Sequence, residues 1–360
     1  MEKIKLFDPF IAKEEEQVIL RVLKSHFWAS GAGIENVKKF EDSFKEYINC
    51  DECVAVNSGT AALHLALSLF DLKGKEVILP SMTFVSTAHA VVMNGGKPVF
   101  SEIDEETLCL DTQKINDKIN SKTQVILPVH FGGMPCDLKT IQKICKSKNL
   151  DLVEDAAHAT GSEYNKGKIG THGKAVCFSF HPVKNLAMPT GGLVAINSKN
   201  SKSILEYLKS KRWCGITNRK KTEYDVNGIG WNYYMNEFSA AIGSIQLKRL
   251  DKMNSIRKKI AKKYCDEIKL ERKMPFEKNC SYHLYWIRVK NRNKFVKEME
   301  REKIETGIHY KPIHTMTFYK NKIKLPLTEK IGNEVVSIPI HQNLTEDEIN
   351  RIIKVVNKFT

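Results

Sequence analysis

What this chain lacks narrows its reading before anything it contains. None of its apolar runs approaches the roughly 20 residues needed to span a bilayer, so no membrane partner is expected. Its opening, Met1-Glu2-Lys3-Ile4-Lys5-Leu6, has no apolar core of a signal peptide, and the expected location is the cytoplasm. The nine cysteines are scattered and odd in number, which argues against a disulfide framework. Their one close pair, Cys50-Asp51-Glu52-Cys53, has no second pair to complete a zinc site. No metal is expected, and the thiols read as reduced. A long basic tail, a zinc-finger pattern and an RNP-like pattern are all missing. Lysine and arginine outnumber aspartate and glutamate by 57 to 42, a net charge of +15, but they lie in short clusters such as 257–263 and 320–324. That distribution reads as a solvated lysine-rich surface suited to an anionic small substrate, and no nucleic-acid partner is expected.

What is present suffices for a large core: 42% of the 360 residues are hydrophobic and 28% charged, the balance of a globular chain. Residues 13–25 and 36–48 have the three-to-four spacing of amphipathic helices, with Val37, Phe40, Phe44 and Ile48 on one face. Seven short β-rich apolar runs follow, at 53–57, 76–79, 98–102, 124–129, 150–154, 175–180 and 193–197. Helical segments at 60–70, 85–93, 138–148 and 201–211 separate most of them. This alternation predicts an α/β fold, a mainly parallel seven-stranded sheet covered by helices on both faces. Residues 212–230 read as a long polar loop and 236–250 as a strong helix. From about 251 a basic helix, strands at 282–290 and 307–310 and a closing helix at 345–359 read as a smaller α/β region. Thr345 and Glu348 have the spacing of a capping box at that last helix. The expected division is a large domain at 1–250 and a small C-terminal one at 251–360.

In open α/β sheets ligands gather at the carboxyl ends of the strands. The run Phe178-Ser179-Phe180-His181-Pro182-Val183-Lys184-Asn185 breaks a buried strand at proline and delivers a lysine just beyond it. Desolvation there would lower its pKa and make it an amine nucleophile toward an aldehyde. Three other strand ends each read two ways. Asn57-Ser58-Gly59-Thr60 is a phosphate cradle or an ordinary helix cap. Phe84, after Pro80-Ser81-Met82-Thr83, is a lid for a flat ring or a core residue. Asp155, in Glu154-Asp155-Ala156-Ala157-His158, holds a proton on a ring nitrogen or caps a helix. A cradle, an aromatic lid, a buried acid and a Schiff-base lysine, in that order, match the requirements of pyridoxal 5′-phosphate (PLP).

Longer stretches resemble the DegT-type family of PLP-dependent sugar aminotransferases, of aspartate-aminotransferase fold type I. N-S-G-T-A-A-L-H-L-A-L at 57–67 is similar to the family's phosphate-binding turn, and P-S-M-T-F-V-S-T-A-H-A-V at 80–91 to its ring-stacking segment. V-H-F-G-G-M-P-C-D-L at 129–138, E-D-A-A-H at 154–158, F-S-F-H-P-V-K-N at 178–185 and G-W-N-Y-Y-M-N-E at 230–237 also match. So do G-I-H-Y-K-P-I-H at 307–314 and S-I-P-I-H at 337–341. The resemblance implies Lys184 and Asp155 as catalytic residues, with Gly59, Thr60, Phe84, His158, Ser179 and Asn232 joining them around the cofactor. Asn232 would reach the phosphate in the neighbouring subunit, making a homodimer with shared active sites. Trp28, Ser30, His309 and Tyr310 would meet the substrate. The implied reaction transfers an amino group from glutamate to a nucleotide-linked keto sugar. Two alternatives share the fold: a PLP-dependent sugar dehydratase, whose relatives carry histidine in place of this lysine, and a PLP-binding regulatory protein without turnover. The chain departs from the family at Met188-Pro189-Thr190, where an acidic residue is common, at Tyr234, where arginine is common, and in the loosely matching 212–230.

Overall fold

The computed structural model describes residues 2–320 and 322–360. Two helices, α1 (Lys13–Lys24) and α2 (Asn36–Ile48), precede the main sheet. Its strands are β1 (Glu52–Val56), β2 (Glu76–Pro80), β3 (Lys97–Ser101), β4 (Thr123–Ile126) and β5 (Asp151–Asp155), then, after a short hairpin of β6 (Glu163–Tyr164) and β7 (Gly167–Lys168), β8 (Ala175–Ser179) and β9 (Gly192–Ile196). Helices α3 (Gly59–Leu67), α4 (Ser86–Met93), α5 (Thr112–Ile115), α6 (Leu138–Lys148) and α7 (Ser201–Arg212) connect or follow them. The spatial order is β1-β9-β8-β5-β4-β2-β3. The run from β8 to β3 is parallel, and only β9 points the other way. The predicted fold class is the observed one.

The period of two along each strand builds two cores. In β8, Val176 and Phe178 face one core, while Ala175 and Cys177 face the other. Leu193 and Ala195 of β9 alternate with Val194 and Ile196 in the same way. With both faces covered, strands such as Glu-Val-Ile-Leu-Pro of β2 are buried throughout. Beneath the lysine-bearing loop, Phe178 and Phe180 pack edge-on against Phe44, with ring centroids 5.1 and 5.3 Å apart. Truncating Phe178 to alanine would cost about 3–5 kcal/mol by the usual scale for a buried ring.

Three segments differ from the sequence reading. The helix expected at 236–250 and the basic helix after it are one element, α8 (Glu237–Glu267). Asn236 caps it by accepting a hydrogen bond from Ser239 N at 2.8 Å, and no proline interrupts it, so residue 250 lies mid-helix. The segment 212–230 contains an exposed hairpin, β10 (Ile216–Lys220) with β11 (Glu223–Val226). Beyond α8, β12 (Tyr285–Arg288) pairs antiparallel with β13 (Val335–Ile338), among α9 (Arg292–Arg301), α10 (Pro326–Glu334) and α11 (Glu346–Phe359). Residues 307–310 form no strand; Gly307 makes a single bridge to Ser337. The capping box of Thr345 and Glu348 forms as expected. Among the described residues no helix is long and apolar enough to cross a membrane.

Candidate active site

The carboxyl ends of β1, β5 and β8 meet at one edge, where the reversed β9 begins. There Asp155 lies opposite Cys177, and Ser179 lies opposite Gly192. Behind β1, Ser58 caps α3 by accepting from Ala61 N at 3.1 Å, so the cap reading holds and leaves room for the cradle. A Cβ on Gly59 would stand 2.7 Å from the Cβ of Ser179, and one on Gly192 would stand 2.3 Å from the carbonyl oxygen of Ser58. Only glycine lets these backbones approach. The result is a helix N-terminus ringed by the hydroxyls of Thr60 and Ser179, the arrangement that favours an anion.

Asp155 is buried at the end of β5. Its Oδ2 accepts a hydrogen bond from Thr87 Oγ1 at 2.8 Å, and its Oδ1 accepts one from Ala157 N at 3.1 Å. Burial pushes its pKa up, against the pull of these two donors and of Lys184. No helix follows β5 before α7, so Asp155 is not a helix cap.

Past β8 the chain turns at Pro182, and Lys184 N donates to the carbonyl of His181 at 2.8 Å. The next side chain, Asn185, ties this loop to Asn254 and to the carbonyl of Ser281, both at 2.8 Å. Burial brings the pKa of Lys184 down to about 7, although the charge of Asp155 works in the opposite direction. At neutral pH that raises the neutral, nucleophilic fraction by roughly three orders of magnitude over a free lysine. The amine lies 3.3 Å from Nε2 of His283.

His158 is held neutral, its pKa pushed well down by burial and by the charges of Lys184 and His309. Its Nδ1 accepts from the backbone N–H of Gly132 at 3.2 Å. The ring proton therefore sits on Nε2, which donates to the hydroxyl of Tyr310 at 3.1 Å. Burial lowers His309 to about 4, and its Nδ1 is 2.9 Å from Ser337 Oγ.

Nine of the residues singled out from sequence line one cavity of about 320 Å³: Gly59, Thr60, Phe84, Asp155, His158, Ser179, Lys184, His309 and Tyr310. Phe84 is 55% exposed, which rules out a core role and places it at the rim, 6.1 Å from the ring of Tyr310. Three others do not line it. Asn232 is exposed, and its carbonyl accepts from Asn57 Nδ2 at 3.3 Å. Exposed Trp28 donates from its indole to Leu23 O at 3.2 Å, and Ser30 accepts from Ala32 N at 3.2 Å. Sequence reasoning missed Thr87, His283 and Thr190, the last a cavity-lining residue whose hydroxyl donates to the carbonyl of Asn57. Thr87 carried a signal, since it falls one helical turn after Thr83; its hydroxyl is 2.9 Å from that of Thr83. Cys50 and Cys53 are buried and donate to backbone carbonyls, and no cluster of metal-ligating side chains occurs among the described residues.

A cavity of this size, with a glycine-lined anion cradle at one end, a buried acid, a desolvated lysine and an aromatic rim, fits pyridoxal phosphate. Comparison with known proteins gives the same answer. GDP-perosamine synthase of Escherichia coli O157:H7 is 32% identical, over 100% of this chain and 99% of its own. The structure superposes on Helicobacter pylori PseC, an aminotransferase involved in the biosynthesis of pseudoaminic acid, with a TM-score of 0.93 and 28% identity, covering 99% of each chain. It superposes equally, at 26% identity over 99% of this chain and 98% of the other, on the PLP form of the putative sugar aminotransferase Spr1654 from Streptococcus pneumoniae. The family model for DegT/DnrJ/EryC1/StrS aminotransferases matches residues 9–357, and this chain accordingly belongs to that family of PLP-dependent sugar aminotransferases.

Proposed function

We propose that this enzyme takes the amino group of glutamate and delivers it to a keto sugar carried on a nucleotide, in the cytoplasm, for amino-sugar and surface-glycan assembly. The observation that carries this reading is the facing of a half-buried lysine of lowered pKa and a buried acid across a cavity closed by an anion cradle. The nucleotide finds support in a relative whose name includes GDP and in a net charge of +15, which favours a diphosphate-bearing substrate.

Bound pyridoxal phosphate supplies an aldehyde for a lysine and a ring that accepts the electrons of a carbanion. In this reading Gly59, Thr60 and Ser179 would hold the phosphate, Asp155 would keep the proton on the ring nitrogen, and His158 and Phe84 would help hold the ring. Lys184 would be the residue that bears the cofactor, and its amine would hold and move the proton at the reacting carbon of donor and acceptor. His309 and Tyr310, at the cavity wall, meet the substrate. The test is a panel of nucleotide keto sugars with glutamate, with products read by mass spectrometry. Amination of one of them is expected, and turnover confined to free sugars or to other donors would overturn the assignment.

The same reading makes the enzyme a homodimer in which Asn232 completes the phosphate site across the two-fold axis. Its exposure outside its own cavity supports this. Trp28 and Ser30 then act at the partner subunit's cavity. A mixture of Lys184→Ala and Asn232→Asp subunits should regain activity above either mutant alone, through mixed dimers with one intact site. No recovery from proven mixed dimers, with the Asn232→Asp homodimer inactive, would return Asn232 to its own subunit's site.

A further inference from the structure

The lysine amine has one hydrogen-bond neighbour from the C-terminal part of the chain, and nothing about its sequence position draws attention to it. Nε2 of His283 lies 3.3 Å from Lys184 Nζ, although the two residues are 99 apart in sequence. The ring is 2% exposed and does not line the cavity. Phe7 stacks on it, with centroids 5.5 Å apart and planes at 15°, and His158 stands 4.5 Å away on tilted planes. Its backbone is fixed as firmly. Ser281 N donates to Ser162 Oγ at 3.1 Å, and Leu284 N donates to Gly132 O at 3.3 Å. Asn185, next to the lysine, donates to Ser281 O at 2.8 Å, so one amide joins the lysine's loop to the histidine's.

The chemistry of the ring follows from its partners. A lysine N–H pointing at Nε2 needs a bare nitrogen there, which puts the ring proton on Nδ1. Nδ1 has no partner among the described residues. A buried group left unpaired in this way is costly, and such cases cluster where a residue serves something besides stability. Burial and the facing charges of Lys184, His158, Arg257 and His309 all disfavour a second proton, so the ring stays a neutral acceptor.

We propose that His283 is a positioning residue that holds the released amine of Lys184 by accepting one of its N–H bonds at Nε2. This rests on Lys184 being the cofactor-linked lysine. A lysine side chain is long and flexible, and an unanchored amine spends little time where a proton must be exchanged. His283 gives the freed amine one resting place on the rigid side of the site. Asp155, His158, His181 and His309 also act on Lys184 electrostatically, but none of them makes a hydrogen bond to its amine.

The test reads the lysine itself in the full-length protein freed of cofactor. Acetylation of Lys184 by acetic anhydride, followed peptide by peptide in a mass spectrometer across pH, should show a midpoint near 7 in the wild type. An acceptor favours the protonated amine, so His283→Leu should lower that midpoint by about one unit. His283→Gln, whose amide reaches the position of Nε2, should restore it. His283→Asn, whose amide stops near Nδ1, should not. In the holoenzyme the single-turnover colour change with glutamate should slow by about tenfold in the leucine and asparagine variants and stay within about threefold in the glutamine variant. A purely structural role would leave the midpoint where it is in all three. If His283→Leu does not fold, the glutamine and asparagine pair decides alone. Equal midpoints in that pair overturn the proposal. Borohydride fixing the cofactor to a different lysine would overturn the assignment of Lys184 along with it, whereas an unmoved midpoint with Lys184 fixed would sink His283 alone.

Discussion

Two hollows in this molecule handle charge in opposite ways. The larger, about 890 Å³, opens in the C-terminal region between α9, α10 and the end of α11. Its fully buried guanidinium, Arg288, is neutralised twice, by Glu334 at 2.8 Å and by Glu105 at 2.7 Å. The smaller, about 320 Å³, holds an acid and an amine that have no ion-pair partner among the described residues. Among the described residues the Asp155 carboxylate is bonded only to a hydroxyl and a backbone N–H, and the Lys184 amine only to an imidazole. Size therefore does not identify the active site. Paired charges hold the C-terminal region together, while unpaired ones bear a desolvation cost that shifts both pKa values toward the neutral forms.

That contrast can be broken by substitution, beginning with turnover. Lys184→Ala should lower kcat by at least about 10³-fold, roughly 4 kcal/mol of barrier, whereas Arg288→Met should leave it within about threefold. Steady-state assays of both variants separate the two hollows, and a comparable loss in each would erase the distinction. Asp155→Asn should cost about 10²-fold, because a neutral amide cannot keep a ring nitrogen protonated. Rates within about threefold of wild type would reduce Asp155 to a structural acid.

The smallest effect concerns stability, and there the two hollows should differ in sign. A lysine whose folded pKa lies below its unfolded value destabilises the fold fully below about pH 7, and the penalty fades as pH rises toward 10.5. Cofactor-free Lys184→Met should therefore gain about 1 kcal/mol near pH 7, discounted for the lysine's partial exposure, and the gain should vanish by about pH 10. Arg288→Met should lose about 2 kcal/mol, since both of its carboxylate partners are left behind and are partly solvated. Thermal melts across pH test the pair, and a pH-independent effect at Lys184 would contradict the assigned shift.

How much of this was legible in the sequence depends on how far each signal had to travel. The seven strands announced themselves because apolar β-rich runs alternate with helices, and Lys184 and Asp155 because each ends such a run. The bonds of Thr87 to Asp155 and of His283 to Lys184 were silent because they join residues 68 and 99 apart, a distance no local period spans. The hairpin of β10 and β11 was hidden by exposure, for with both strands solvated no apolar alternation marks them. The boundary expected at about 251 rested on the start of a basic helix there. Charge alone does not end a helix, and no proline follows before Glu267 to do so.

The central claim is that Lys184 carries the cofactor, and one measurement meets it directly. The holoenzyme is reduced with borohydride, digested, and searched by mass spectrometry for the peptide that bears the pyridoxyl group. The account predicts a single labelled site, Lys184 within Phe178-Ser179-Phe180-His181-Pro182-Val183-Lys184-Asn185, and no label at that position in Lys184→Ala. A pyridoxyl group on any other lysine of the wild-type protein would contradict it.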